Sequence, residues 1–94
     1  RCTDTACAGQ MLETWSFGPD IVFRRMEGHG NGLTALYAWD SRRNVVRLIR
    51  REDEELFGCG RAGAHLVCLQ ESARQPRRLV SIDVESGEAR VLYE

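Results

Sequence analysis

The chain has 94 residues, which is one domain's worth of sequence with room for a single core. Its 43% hydrophobic and 29% charged residues, with nine glycines and two prolines, exclude a collagen-like, low-complexity or wholly disordered chain. Thirteen basic residues, all arginine, against fourteen acidic ones leave a net charge of −1, so no global field recruits nucleic acid or an anionic membrane.

The apolar runs are too short to cross a bilayer. The start at Arg1, with no methionine and no apolar leader, reads as a processing or excision boundary and leaves an exported mature product open. Short stretches of β-branched and aromatic residues then recur, separated by Gly, Asn, Asp and Ser. They predict eight strands, near 11–16, 20–26, 33–39, 45–50, 55–59, 64–70, 78–84 and 89–93. Phe17-Gly18-Pro19, Ser41-Arg42-Arg43-Asn44, Arg61-Ala62-Gly63 and Glu85-Ser86-Gly87-Glu88 carry hairpin-turn chemistry, so neighbouring strands are expected to pair antiparallel. Residues 50–56, with the run Glu52-Asp53-Glu54-Glu55, lack the apolar stripe of a helix and read as a solvated linker.

The chain also repeats. Leu36-Tyr37-Ala38-Trp39-Asp40 followed by Val46-Arg47-Leu48-Ile49 precedes Leu79-Val80-Ser81-Ile82-Asp83 followed by Ala89-Arg90-Val91-Leu92 by 43 residues, and Ile21-Val22-Phe23 precedes Leu66-Val67-Cys68 by 45. The fold class expected is all-β: one β unit over 1–94, made of two consecutive four-stranded antiparallel meanders, 12–50 and 55–93. Units of this length and strand number are the mark of β-propeller blades. The alternative is a free-standing two-sheet β-sandwich that serves as a protein-binding module. A lone pair of blades leaves two apolar faces bare, which also points to a fragment of a longer propeller or to a homo-oligomer.

Cys2, Cys7, Cys59 and Cys68 permit two disulfides. Cys59 and Cys68 fall in one predicted hairpin, where a bridge competes with two buried thiols, and Cys2 with Cys7 would close a terminal loop. Two bridges would indicate a secreted or periplasmic protein rather than a cytoplasmic one. Spacings of four and eight residues within the pairs differ from zinc knuckles, so no metal is expected. The loop Glu27-Gly28-His29-Gly30-Asn31-Gly32 lacks the helix and lysine of a phosphate cradle and reads as a rim loop, with His29, Gly30 and Asn31 as candidate contacts. Arg24, Arg25, Arg42, Arg43, Arg47, Arg50 and Arg51 interleave with carboxylates, as solvated strand faces do. Adjacent carboxylates at 52–55 point to opposite sides of an extended chain, which argues against a calcium site. Trp15, Phe23, Tyr37 and Trp39 are assigned to the core.

Trp15-Ser16 ahead of Gly18-Pro19-Asp20 and Ile21-Val22-Phe23 resembles a degenerate Trp-Ser-Pro-Asp-Gly blade motif of the prolyl-oligopeptidase-type serine peptidases. The wider set Ala35-Leu36-Tyr37-Ala38-Trp39-Asp40, Phe57-Gly58-Cys59, Ala62-Gly63, Leu66-Val67-Cys68-Leu69, Pro76-Arg77-Arg78-Leu79-Val80-Ser81-Ile82-Asp83 and Gly87 resembles the propeller region of the lasso-peptide isopeptidases within that family. The resemblance implies a propeller that caps an α/β-hydrolase domain, governs substrate access and takes the catalytic domain and a lasso peptide as partners. Those enzymes carry their nucleophile in a Gly-x-Ser-x-Gly elbow. Ser16, Ser41, Ser72, Ser81 and Ser86 all lack that setting, so no catalytic residue carries over. A non-catalytic segment without cofactor is expected.

Overall fold

The computed structural model describes residues 13–28, 32–73 and 76–93. Cys2 and Cys7, and the loop candidates His29, Gly30 and Asn31, lie outside the described residues. Eight strands follow in chain order: β1 (Glu13–Phe17), β2 (Asp20–Glu27), β3 (Leu33–Asp40), β4 (Val45–Glu52), β5 (Glu55–Ala62), β6 (His65–Glu71), β7 (Arg78–Asp83) and β8 (Ala89–Tyr93). They form two four-stranded antiparallel meanders: sheet A with the order β1-β2-β3-β4 and sheet B with the order β5-β6-β7-β8. The all-β expectation of two such meanders holds. No helix is long and apolar enough to cross a membrane among the described residues.

Two local expectations change. The stretch 50–56 is not a linker, because β4 runs to Glu52 and β5 begins at Glu55, leaving only Asp53 and Glu54 between the sheets. Its carboxylates pair with arginines on the strands: Glu52 with Arg50, and Glu54 with Arg78 at 3.6 Å. The third hairpin turn is tighter than expected, since Arg61 and Ala62 extend β5 and Gly63-Ala64 alone make the bend.

The sheets stack face to face. Val22, Leu36, Ala38 and Ile49 of sheet A form one buried cluster with Leu56, Leu66, Cys68, Val80, Ile82 and Val84 of sheet B. Trp15 and Phe17 pack partly buried at its margin. At one side of the seam β1 lies on β5: the Trp15 indole donates to the Cys59 carbonyl at 3.2 Å, and Arg61 Nη1 donates to the Ser16 carbonyl at 2.8 Å. At the other side β4 meets the β7–β8 turn, where Arg50 Nη1 donates to the Gly87 carbonyl at 2.9 Å.

Polar side chains stitch the middle. β5 is the edge strand of sheet B, so half of its backbone groups have no ladder partner. Sheet A satisfies two of them at Leu56: Thr34 Oγ1 accepts its N–H at 3.4 Å, and Arg24 Nη1 donates to its carbonyl at 2.5 Å. Arg24 Nε also stands 2.9 Å from Glu13 Oε1, an ion pair whose angle is too poor for an aligned hydrogen bond. Arg24 and Thr34 are both buried.

The repeat in the sequence is a repeat in space. Ile21 faces Trp39 and Trp39 faces Val46 in sheet A, as Leu66 faces Ile82 and Ile82 faces Ala89 in sheet B. Both sheets carry a bulge at the same place. Leu36 pairs with Arg50 and Tyr37 with Leu48, which leaves Ile49 unmatched; Leu79 pairs with Tyr93 and Val80 with Val91, which leaves Leu92 unmatched, 43 residues later. A second apolar cluster, Phe23, Ala35 and Tyr37 with Trp39 and Val46, covers the face of sheet A turned away from sheet B. By the register, Phe23, Tyr37 and Trp39 correspond to Cys68, Val80 and Ile82, which face inward from sheet B. Sheet A therefore turns toward sheet B the face opposite to the one that sheet B turns toward it, a head-to-tail relation.

Candidate functional site

The β1–β2, β3–β4, β5–β6 and β7–β8 turns gather at one rim, where the Ser41 N–H donates to the Pro19 carbonyl at 3.4 Å and the Val84 N–H to the Ala64 carbonyl at 3.3 Å, and two of them are built alike. Asp40 ends β3 and accepts the backbone N–H groups of Arg42 and Arg43 on Oδ1 at 2.9 and 3.3 Å. Asp83 ends β7 and accepts those of Glu85 and Ser86 at 2.9 and 3.1 Å. The Arg43 side chain, ahead of those backbone groups, holds the Asp40 carboxyl below its ordinary value against a smaller opposing effect of burial. The Ser86 N–H does the same for Asp83, followed by the Glu85 N–H and the charge of His65. Both aspartates are turn caps first.

Below each turn lies a cleft. The one on sheet A, about 250 Å³, is lined by Asp20, Ala38, Asp40, Val45 and Arg47 and is closed by Glu85 of sheet B. Arg47 Nη2 stands 3.6 Å from Glu85 Oε2, and Arg47 Nη1 donates to the Glu85 carbonyl at 3.4 Å. The one on sheet B, about 540 Å³, is lined by His65, Ser81, Asp83, Glu88, Ala89, Arg90 and Leu92. The register matches the two clefts residue by residue: Asp20 with His65, Ala38 with Ser81, Asp40 with Asp83, Val45 with Glu88 and Arg47 with Arg90. His65 Nε2 is 3.7 Å from Asp83 Oδ2, and Ser81 shares their face. Ser81 sits mid-strand, so it is a ladder residue in a different backbone setting from a glycine-flanked elbow.

The outward face of sheet A carries a separate polar network. The Tyr37 hydroxyl donates to Glu27 Oε2 at 2.5 Å; Arg51 forks onto Glu27 Oε1 at 2.9 and 3.1 Å and donates to the Tyr37 oxygen at 3.1 Å. Burial pushes the Glu27 carboxyl up, but the Tyr37 and Arg51 hydrogen bonds and the charges of Arg51 and Arg25 outweigh it, and the net shift is downward. Burial and then the Glu27 hydrogen bond push the Tyr37 phenol above 10.0. Stability from Glu27 is thus present above the ordinary carboxylate range and lost as pH falls through its lowered value, whereas that from Tyr37 is present below its unfolded value and lost as pH rises through its raised one. Y37F is expected to cost about 1 kcal/mol at neutral pH. It should also remove the loss of stability on the alkaline side, as urea midpoints across the pH range would register.

Cys59 and Cys68 form a disulfide across β5 and β6, with Cα atoms 4.1 Å apart. It takes the place that the cross-strand pair Thr14 and Phe23 holds in sheet A. Closing a loop of sequence separation 9 stabilises by about 2.5 kcal/mol through the entropy of the unfolded chain. In a C2S/C7S background, thiol counting in denaturant is expected to find none before reduction and two after it, with the urea midpoint falling on reduction. The arginines are dispersed rather than grouped: Arg24, Arg42, Arg43, Arg47, Arg50 and Arg51 each engage a carboxylate. No group of three or more His, Cys, Asp or Glu that would hold a metal exists among the described residues.

These features define the class: an all-β segment of two stacked four-stranded meanders, each capped by an aspartate at an equivalent turn. No protein-family model matches the chain. Over its whole length it is 34% identical to the lasso peptide isopeptidase AtxE2 of Asticcacaulis excentricus, of which it spans 14%. Solved structures of AtxE2 match 99% of the chain at 35% identity with a TM-score of 0.90, one of them free and one a serine-to-alanine variant with Astexin3-dC4 bound. The chain is similar, in sequence and fold, to a segment of a lasso peptide isopeptidase.

Proposed function

We propose that the chain serves as a non-catalytic segment of a lasso-peptide isopeptidase-like serine peptidase, supplying two consecutive blades of its β-propeller. The observation that carries this reading is the head-to-tail repeat. Sheet A seats its inward face on the face of sheet B that corresponds to its own outward one, as successive blades do. The match to AtxE2 at 34% identity and TM-score 0.90 supports the same assignment. In that setting the segment packs near an α/β-hydrolase domain and shapes access of a lasso peptide to it. A two-sheet sandwich complete in itself would not need its outer faces to be repeats of its inner ones. The disulfide, buried at Cys68, supports an oxidising compartment, periplasmic or extracellular.

The test is turnover. Incubated with a threaded lasso peptide, the chain by itself is expected to leave the isopeptide bond intact by mass spectrometry. Hydrolysis by the purified chain, abolished by S81A, would overturn the assignment of a non-catalytic segment.

A further inference from the structure

We propose that the open cleft of sheet B is a receptor for an acidic, glycine-bearing hairpin turn of a following β-sheet, with Arg90 pairing the carboxylate and Leu92 covered by the glycine. The inference rests on the stacked-blade reading and adds to it the chemistry of the next partner. The template is the filled cleft of sheet A. There the turn Glu85-Ser86-Gly87 of sheet B docks: Glu85 pairs with Arg47, and Gly87 lies so close to the Ile49 carbonyl that a Cβ on it would collide. Ile49 is left 9% exposed. In sheet B the same two positions are Arg90 and Leu92, on the same strand, at the same bulge and beside the same capped turn. Leu92 is 50% exposed and Arg90 lines the open cleft, so the receptor is built and nothing among the described residues covers it.

The partner's chemistry follows from what does not fit. A second copy of this chain, stacked head to tail, would bring the β3–β4 turn of its sheet A to the cleft. The residues of that turn two and four positions after the capping Asp40 are Arg42 and Asn44, where the docking turn of sheet B has Glu85 and Gly87 after Asp83. Arg42 would face Arg90, like against like. Asn44 shares the positive φ of Gly87, 52° against 79°, but carries the Cβ that the close approach forbids. Both mismatches act against self-stacking, and both are repaired by an acidic residue followed by glycine. Glu88 stands at the rim where sheet A has Val45, so the incoming carboxylate must reach past it to Arg90.

The experiment titrates the whole chain with a disulfide-closed hairpin peptide that carries the docking turn Asp83-Val84-Glu85-Ser86-Gly87-Glu88 and follows the Arg90 and Leu92 resonances by NMR. Saturable shifts at both residues are expected, and R90E in the chain should weaken binding severalfold, as the loss of one largely exposed charge pair does. A peptide that shifts neither residue, or one indifferent to R90E, overturns the inference. G87A in the unaltered chain keeps the two readings apart. If G87A weakens the existing seam while the peptide does not bind, the docking inference alone fails; if G87A costs nothing, the stacked-blade reading fails with it.

Discussion

Replacing Arg24 by methionine is expected to destabilise the chain by about 3 kcal/mol, because it strands partners on two other strands at once. Arg24 is buried between the sheets, donates to the Leu56 carbonyl on the unpaired edge of β5, and stands beside Glu13 of β1. Methionine fills similar volume but donates nothing. The Leu56 carbonyl then lies buried without a partner, and Glu13 loses its countercharge in a half-buried position. For a domain of this size the loss corresponds to a fall of roughly 12–24 °C in the unfolding midpoint. E13Q, which leaves the bond to Leu56 in place, should cost under about 1 kcal/mol, since Glu13 keeps part of its solvent exposure. Thermal unfolding of the two variants side by side separates the edge clamp from the ion pair. Equal losses would place the weight on the charge instead.

Alanine at Gly87 is expected to cost about 2–4 kcal/mol, combining a left-handed backbone with overpacking at the seam. The residue has φ of 79°, and a Cβ there would meet the carbonyl group of Ile49, whose carbon is 3.2 Å away. Because the obstacle is backbone of the opposing sheet, no rotamer change relieves it. Gly63 is the control. It has φ of 61° and open space for 4 Å around the point where a methyl group would stand, so G63A should show only the conformational cost of about 1 kcal/mol. The difference between the two variants, read as urea midpoints at constant m-value, reports the contact between sheets rather than the turn itself.

The strands are legible in the sequence because each apolar alternation ends in a residue that turns the chain, as at Gly18-Pro19 and Ser86-Gly87. The repeat is legible because Trp39-Asp40 and Ile82-Asp83 hold the same job, ending a strand and capping the following turn. Hidden from sequence is whatever depends on which face meets the second sheet. Arg24 and Arg51 look alike in a basic stripe, yet one is buried under β5 and the other lies on the outward face with Glu27. The bulges at Ile49 and Leu92 are equally silent, since a slip of one residue late in a strand leaves the local alternation intact. Trp15 and Trp39, expected in the core with Phe23 and Tyr37, sit half-buried at its margins instead, because their indole N–H groups reach out to Cys59 and Asn44.

Stacking of the two sheets underlies the seam, the clefts and the repeat alike, and a single amide reports it. Leu56 N–H points away from β6 at the edge of sheet B and is held by Thr34 of sheet A. Amide hydrogen exchange followed by NMR is expected to find it protected to the level of the β6 amides in the native chain and less protected in T34V, which removes its acceptor. A Leu56 amide that exchanges as fast as a free strand edge, while the amides of β6 remain protected, would mean that the two sheets do not stack as described.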